Sequence, residues 1–202
     1  MNFLAHAYLS FGDECLLVGN FIADKVKGKK FLDFPIGIQK GILLHRQIDD
    51  FTDKHPVVLS MISLYSQNQG IFSPVINDIF MDHFLAKNWS SYHTITLQDF
   101  VNHALAVLEK YQNFIPKSIQ DFISFAKQTN RLVEYGTVEG VEITLKQVGK
   151  KILSQPRLES AIVDLQLHYE KLEALFTIYF PELVQFSKTW ISQNFQNIFT
   201  EN

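Results

Sequence analysis

Residues 45–55 read HRQIDDFTDKH, two histidines and three aspartates within about three helical turns. Read as a linear motif, the inner DDFTD has the spacing of an aspartate-rich segment that holds a magnesium diphosphate. Read as a helix running from about Pro35 to Asp53, the same residues regroup. His45 and Asp49 stand four apart on one face, with Asp53 a turn further on, and Leu44, Ile48 and Phe51 put that face at the edge of a core. Arg46 and Asp50 form a second pair rotated by one residue, which reads most simply as a surface ion pair. His55 precedes Pro56, a position that disfavours helical geometry, so the helix should stop there.

The rest of the chain agrees with a helical reading. Apolar residues recur at three and four, as in Ile76, Phe80 and Phe84, or Leu165, Leu172, Leu175 and Phe176. Alternating strand patterns joined by Asn-Gly or Asp-Gly turns are missing. Six prolines, Pro35, Pro56, Pro74, Pro116, Pro156 and Pro181, each stand where a helix could begin, because the first turn tolerates a residue without an N–H. The expectation is an all-α, single compact domain spanning residues 1–202, built of about eight to ten helices of ordinary length. Eighteen phenylalanines belong to its core and are assigned no other task.

Composition narrows the chemistry. The chain has 202 residues, 47% of them hydrophobic, which is enough to bury a substantial core. One cysteine, Cys15, excludes a disulfide framework and a multi-thiolate zinc site, so any metal is held by oxygen and imidazole nitrogen and a reducing cytoplasm is the default location. A net charge of −3 gives no reason to expect nucleic-acid binding. The apolar start lacks a basic n-region and meets His6, Asp13 and Glu14 too early for a signal peptide. No run of about 18 uncharged apolar residues is present to span a membrane. Lys25, Lys27, Lys29 and Lys30 form a local basic cluster whose plainest reading is a solvated loop.

Four segments carry polar groups at the edge of apolar sequence. His6 is flanked by apolar residues in NFLAHAYL. Asp24 closes LLVGNFIAD, where a carboxylate at a helix C-terminus opposes the macrodipole and calls for a compensating cation. His45 and Asp49 are the third group. In NDIFMDHFLAKNW the helix is apolar almost all round yet carries Asp82 and His83, a buried acid and imidazole that need partners. Each has a structural explanation alone: a satisfied core histidine, or a hydrogen-bonded pair. Their convergence suggests mixed imidazole and carboxylate ligation of Mn²⁺, Fe²⁺, Mg²⁺ or catalytic Zn²⁺.

The blocks NFLAH, GNFIAD, HRQIDDFTD, MDHFL and YFPEL resemble, in order and over nearly the whole chain, the acyl-carrier-protein phosphodiesterases. The resemblance implies a distorted HD-type metal phosphohydrolase fold, Mn²⁺ as cofactor with Mg²⁺ or Fe²⁺ as alternatives, and removal of 4′-phosphopantetheine from holo acyl carrier protein. The family pattern falls on His45, Arg46, Ile48, Asp49, Thr52 and Asp53 and leaves Asp50 free. No His-Asp dipeptide occurs, Asp82 standing before His83 instead, so the HD ligand scheme does not transfer directly.

On this resemblance Asp24 is an essential carboxylate, and His45, Asp49, Asp82 and Asp24 are expected metal ligands. His6 or His83 would act as ligand or proton shuttle and Arg46 would hold phosphate, its ion pair with Asp50 being the competing reading. Lys25, Lys27, Lys29 and Lys30 would meet the acidic carrier protein. Two other functions use the same residues: an HD-like phosphohydrolase of a nucleotide or small phosphoester, and a non-catalytic helical module that binds carrier protein. An isoprenoid-synthase reading of DDFTD needs a second motif facing the first, and DIFMD at 78–82 has the wrong spacing.

Overall fold

A computed structural model describes residues 3–195. Among them are twelve α-helices and no strand: α1 (Phe3–Tyr8), α2 (Glu14–Ile22), α3 (Ile36–Lys54), α4 (Pro56–Ser63), α5 (Ser66–Gln69), α6 (Ser73–Lys87), α7 (Leu97–Lys110), α8 (Lys117–Thr129), α9 (Arg131–Glu134), α10 (Val138–Lys151), α11 (Ile162–Leu167) and α12 (Tyr169–Phe195). The count exceeds eight to ten because α5 and α9 are single turns of four residues, too short to leave a periodic signal.

Local chemistry sets the ends of the helices that matter most. Asp13 caps α2, its carboxylate accepting from the Leu16 amide at 2.9 Å. Pro35 precedes α3, and His55 in extended geometry ends it one residue before Pro56 opens α4. Two of the six prolines depart from the expected role. Pro156 lies between α10 and a 3-10 turn, while Pro181 sits inside α12. An interior proline costs a helix about 3 kcal/mol. Here the neighbours Tyr179, Phe180 and Leu183 are wholly buried, and their packing carries the helix through.

The central helix is α6, whose buried residues Ile76, Phe80, Met81, Phe84 and Leu85 leave no solvent face. α1, α4, α10 and α12 pack around it. The mid-helix YFPEL stretch of α12 ties back to α3 and the residue that ends it: the Tyr179 and Thr52 hydroxyls lie 2.6 Å apart, and Glu182 meets His55 Nε2 at 3.1 Å.

α2 and α3 make the closest helix pair, and two glycines explain it. A Cβ on Gly19 would stand 2.3 Å from the Ile38 carbonyl oxygen and 2.6 Å from Gly41 Cα; one on Gly41 would stand 2.5 Å from the Leu16 carbonyl oxygen. Neither backbone can retreat without unpacking its helix. Gly41→Ala is therefore expected to lose about 1–3 kcal/mol by overpacking, although alanine is the better helix former by about 1 kcal/mol. Gly136→Ala, whose Cβ would meet nothing nearer than 3.5 Å, is expected to stay within about 0.5 kcal/mol of wild type. Urea unfolding of the two variants measures the difference.

Candidate metal centre

The α2–α3 crossing brings three elements to one point. α1 contributes His6, α3 contributes His45 and Asp49 one turn apart, and the 3-10 turn Ala23–Lys25 that continues α2 contributes Asp24. Asp49 Oδ2 lies 3.0 Å from His45 Nε2 and its Oδ1 lies 3.4 Å from His6 Nε2. Asp24 Oδ1 lies 3.2 Å from the same His45 nitrogen. The two imidazoles stack with centroids 3.9 Å apart. Ligand atoms of His6, His45 and Asp49 all fall within 4.8 Å of one another, a grouping able to hold a metal ion.

A hydrogen-bond chain behind His6 decides which of its nitrogens is bare. The Ser10 hydroxyl donates to the His6 carbonyl at 2.9 Å, so its oxygen is left to accept from Asn20 Nδ2, also at 2.9 Å. That turns Asn20 Oδ1 toward His6 Nδ1 at 3.3 Å, and Nδ1 carries the proton. His6 Nε2 then presents a lone pair toward the Asp49 carboxylate, and this buried nitrogen makes no hydrogen bond. Two acceptors face each other, and a cation between them would be held by both.

The charges of the site point the same way. Burial and the neighbouring His45 hold the His6 pKa down to about 4. Burial also opposes charge on His45, but the hydrogen bonds its Nε2–H gives to Asp24 and Asp49 outweigh it and lift that imidazole to about 9. Burial would raise Asp49, yet its hydrogen bond with His45 and the nearby His6 hold it far below the usual carboxylate range. The His45 bond likewise lowers Asp24, whose side chain is 73% exposed.

Without a metal, a proton on His45 takes the cation's place. Such a group stabilises the folded state below its unfolded pKa of about 6.5, and that contribution fades as pH rises through about 9. A proton NMR titration of metal-free protein is expected to show one imidazole, His45, titrating near 9, and another, His6, staying neutral down to about 4.

The remaining candidates lie elsewhere. Both Asp82 oxygens accept the amides that open α1, from Leu4 at 2.9 Å and Ala5 at 3.1 Å, and burial raises its pKa to about 7 against those bonds. It fixes the helix that carries His6 and does not join the cluster. His83 spans the Tyr135 carbonyl at 2.7 Å and the Tyr169 hydroxyl at 2.8 Å, tying α6 to α12 and to the end of α9. The expected Arg46–Asp50 pair is replaced. Asp50 pairs with Lys54, while Arg46 donates to the Val26 and Gly28 carbonyls at 2.8 and 3.0 Å, with Phe31 5.3 Å beneath its guanidinium. Asp53 is exposed. Lys25, Lys29 and Lys30 are exposed on two 3-10 turns, Ala23–Lys25 and Gly28–Asp33, and Lys27 is exposed between them, the whole held by that Arg46 bridge. Sequence reasoning passed over Asn20, although a polar residue within LLVGNFI was the available signal.

An all-α protein with two imidazoles and a carboxylate gathered beside an exposed acid has the donor set of a divalent-cation site. A sequence model for acyl carrier protein phosphodiesterase matches residues 1–183. The chain is 31% identical to the acyl carrier protein phosphodiesterase of Photorhabdus laumondii over 186 residues, covering 92% of this chain and 94% of that one. It is 29% identical to the Yersinia pestis protein of the same name, over 92% and 96%. The Escherichia coli relative, likewise so named, is 31% identical over 92% and 96%. The chain belongs to the acyl carrier protein phosphodiesterase family. No solved structure matches it.

Proposed function

We propose that this protein is a metal-dependent phosphodiesterase that hydrolyses 4′-phosphopantetheine from holo acyl carrier protein, giving the apo protein. The observation that carries the reading is the His6, His45 and Asp49 cluster, with a bare buried imidazole nitrogen aimed at a carboxylate, in a chain of this family. His6 Nε2, His45 Nε2 and Asp49 are the ligands, and Asp24 is the fourth candidate. Mn²⁺ suits this mixture of imidazole and carboxylate, and Mg²⁺ or Fe²⁺ are the alternatives. When bound, the cation supplies positive charge against the phosphodiester anion and acidifies a water at neutral pH.

The chain's own groups do the rest. Asn20 and Ser10 fix the tautomer and orientation of His6. Asp82 anchors α1 at its N-terminus, where a carboxylate also meets the helix dipole favourably. Asp24, ionised and open to solvent, takes the proton of the attacking water and returns it to the carrier serine oxygen as the bond from phosphorus to that oxygen breaks. Arg46 acts through the loop it holds, presenting the lysine turns, and not as a phosphate clamp.

Carrier proteins are acidic, and the lysine turns offer complementary charge within a few residues of Asp24. Leu32 and Ile36, 57% and 65% exposed, add apolar contacts to the same surface. No helix among the described residues is long and apolar enough to cross a membrane.

Mn²⁺-dependent release of 4′-phosphopantetheine from holo carrier protein, followed by mass spectrometry, tests the assignment. Asp49→Ala is expected to lower kcat/KM by about 100-fold or more and to lose bound metal. Wild-type turnover without metal, or full activity of Asp49→Ala, would remove the cluster from the reaction. A second expectation concerns docking. Reversing Lys27, Lys29 and Lys30 to Glu should raise KM for holo carrier about tenfold, an effect that shrinks with added salt, with metal content unchanged. An unaltered KM would return these lysines to plain solvation.

A further inference from the structure

A cavity of about 500 Å³ lies against the cluster, walled by α1, α2, α6, α8 and α10. Its apolar lining includes Phe3, Phe21, Ile79, Phe122 and Val148. The rings of Phe21 and Phe122 stack on Phe3 at centroid distances of 4.6 and 4.4 Å. Phe21 is buried while Phe3 and Phe122 are only half-buried, so aromatics that the sequence consigned to the core also line a cavity. Asp24 and Lys25 belong to the same lining. Asp24 is thus shared: its carboxylate touches His45 in the cluster on one side and borders the cavity on the other.

The substrate has a matching division. Its phosphorus joins two organic groups, the serine of a folded carrier protein and a slender arm. That arm begins with a methylene, followed by a carbon bearing two methyl groups, and continues through two amides to a sulfur. With the phosphorus at the cluster, one group must leave across the lysine surface and the other must lie elsewhere. We propose that the cavity beside Asp24 is the binding site for the pantetheine arm, and that the carrier protein stays outside on the lysine turns. This rests on the phosphodiesterase reading above.

Size and chemistry favour the arm over any other part of the substrate. A cavity of this volume falls in the range of small-molecule sites, about 300–1,000 Å³, while a carrier helix is about 10–12 Å across. The aromatic wall suits the dimethyl carbon and methylenes. Ser118 and Lys151, both exposed and both in the lining, supply donors for the amide carbonyls. Lys151 Nζ already sits 5.8 Å from the Phe122 ring centroid, so the cationic end is held at the aromatic wall.

The arm would also explain discrimination. A phosphodiester lacking it would occupy the cluster but forgo the cavity contacts, and each apolar increment of such a contact is worth about 10-fold or more in kcat/KM.

Val148 lines the cavity from α10 and is half-buried, so Val148→Trp places an indole in the arm's path. With Mn²⁺-loaded protein, we expect KM for holo carrier and the inhibition constant of free 4′-phosphopantetheine to rise about tenfold or more. Turnover of methyl 4-nitrophenyl phosphate, which has no arm, should fall by a much smaller factor. A folded Val148→Trp protein with wild-type KM and inhibition constant overturns the proposal, and so does an equal loss on both substrates. Should the variant fail to fold, the wild type decides. Free 4′-phosphopantetheine must inhibit aryl phosphodiester hydrolysis at least about tenfold more tightly than methyl phosphate, and equal inhibition overturns the proposal. Absence of wild-type turnover on holo carrier, with the aryl diester still cleaved, strikes the assigned reaction instead, and the two-inhibitor comparison still decides the cavity.

Discussion

Where α2 crosses α3, two backbones touch at Gly19 and Gly41 with no side chain between them. Every group of the candidate centre is placed relative to that contact. Gly41 is one turn before His45 and two before Asp49 on α3; Gly19 lies five residues before Asp24 on α2. A wider crossing would withdraw Asp24 from His45 Nε2, now 3.2 Å away, and shift Asn20 from behind His6. Close helix approach and site assembly are one geometric fact.

The second constraint is electrostatic. Asp49 and Asp24 crowd negative charge around two imidazoles, of which burial keeps one neutral and the carboxylates charge the other. Such an arrangement is stable only with a positive centre among its atoms, whether proton or metal. The supporting shell is rigid because each member is used: Ser10 holds Asn20, Asn20 holds His6, and Asp82 holds the helix that carries His6. None of those three need touch a metal to control what binds it.

The surroundings divide into two regions on either side of Asp24. The exposed lysine turns and the neighbouring apolar residues Leu32 and Ile36 form a charged outer surface. The aromatic cavity is a recess of about 500 Å³. A substrate that is half folded protein and half slender cofactor arm has use for both.

Much of this was legible in the chain itself. Periodicity at three and four and a proline before each of several helices specified an all-α fold, because local spacing alone sets which face is buried. The i, i+4 relation of His45 and Asp49 placed them together without further information, since a helix makes neighbours of residues four apart. Tertiary structure decided the rest. Asp82 and His83 looked like ligands because they are buried and polar; only packing could show their bonds already committed to α1, Tyr135 and Tyr169. Arg46 stood in sequence four residues from Asp50, yet two carbonyls of a loop eighteen to twenty residues earlier offered it fixed acceptors, and Lys54 took Asp50. Asn20 showed only as a polar residue in an apolar run and the two crossing glycines not at all, because their effect arises between helices, where no local pattern records it.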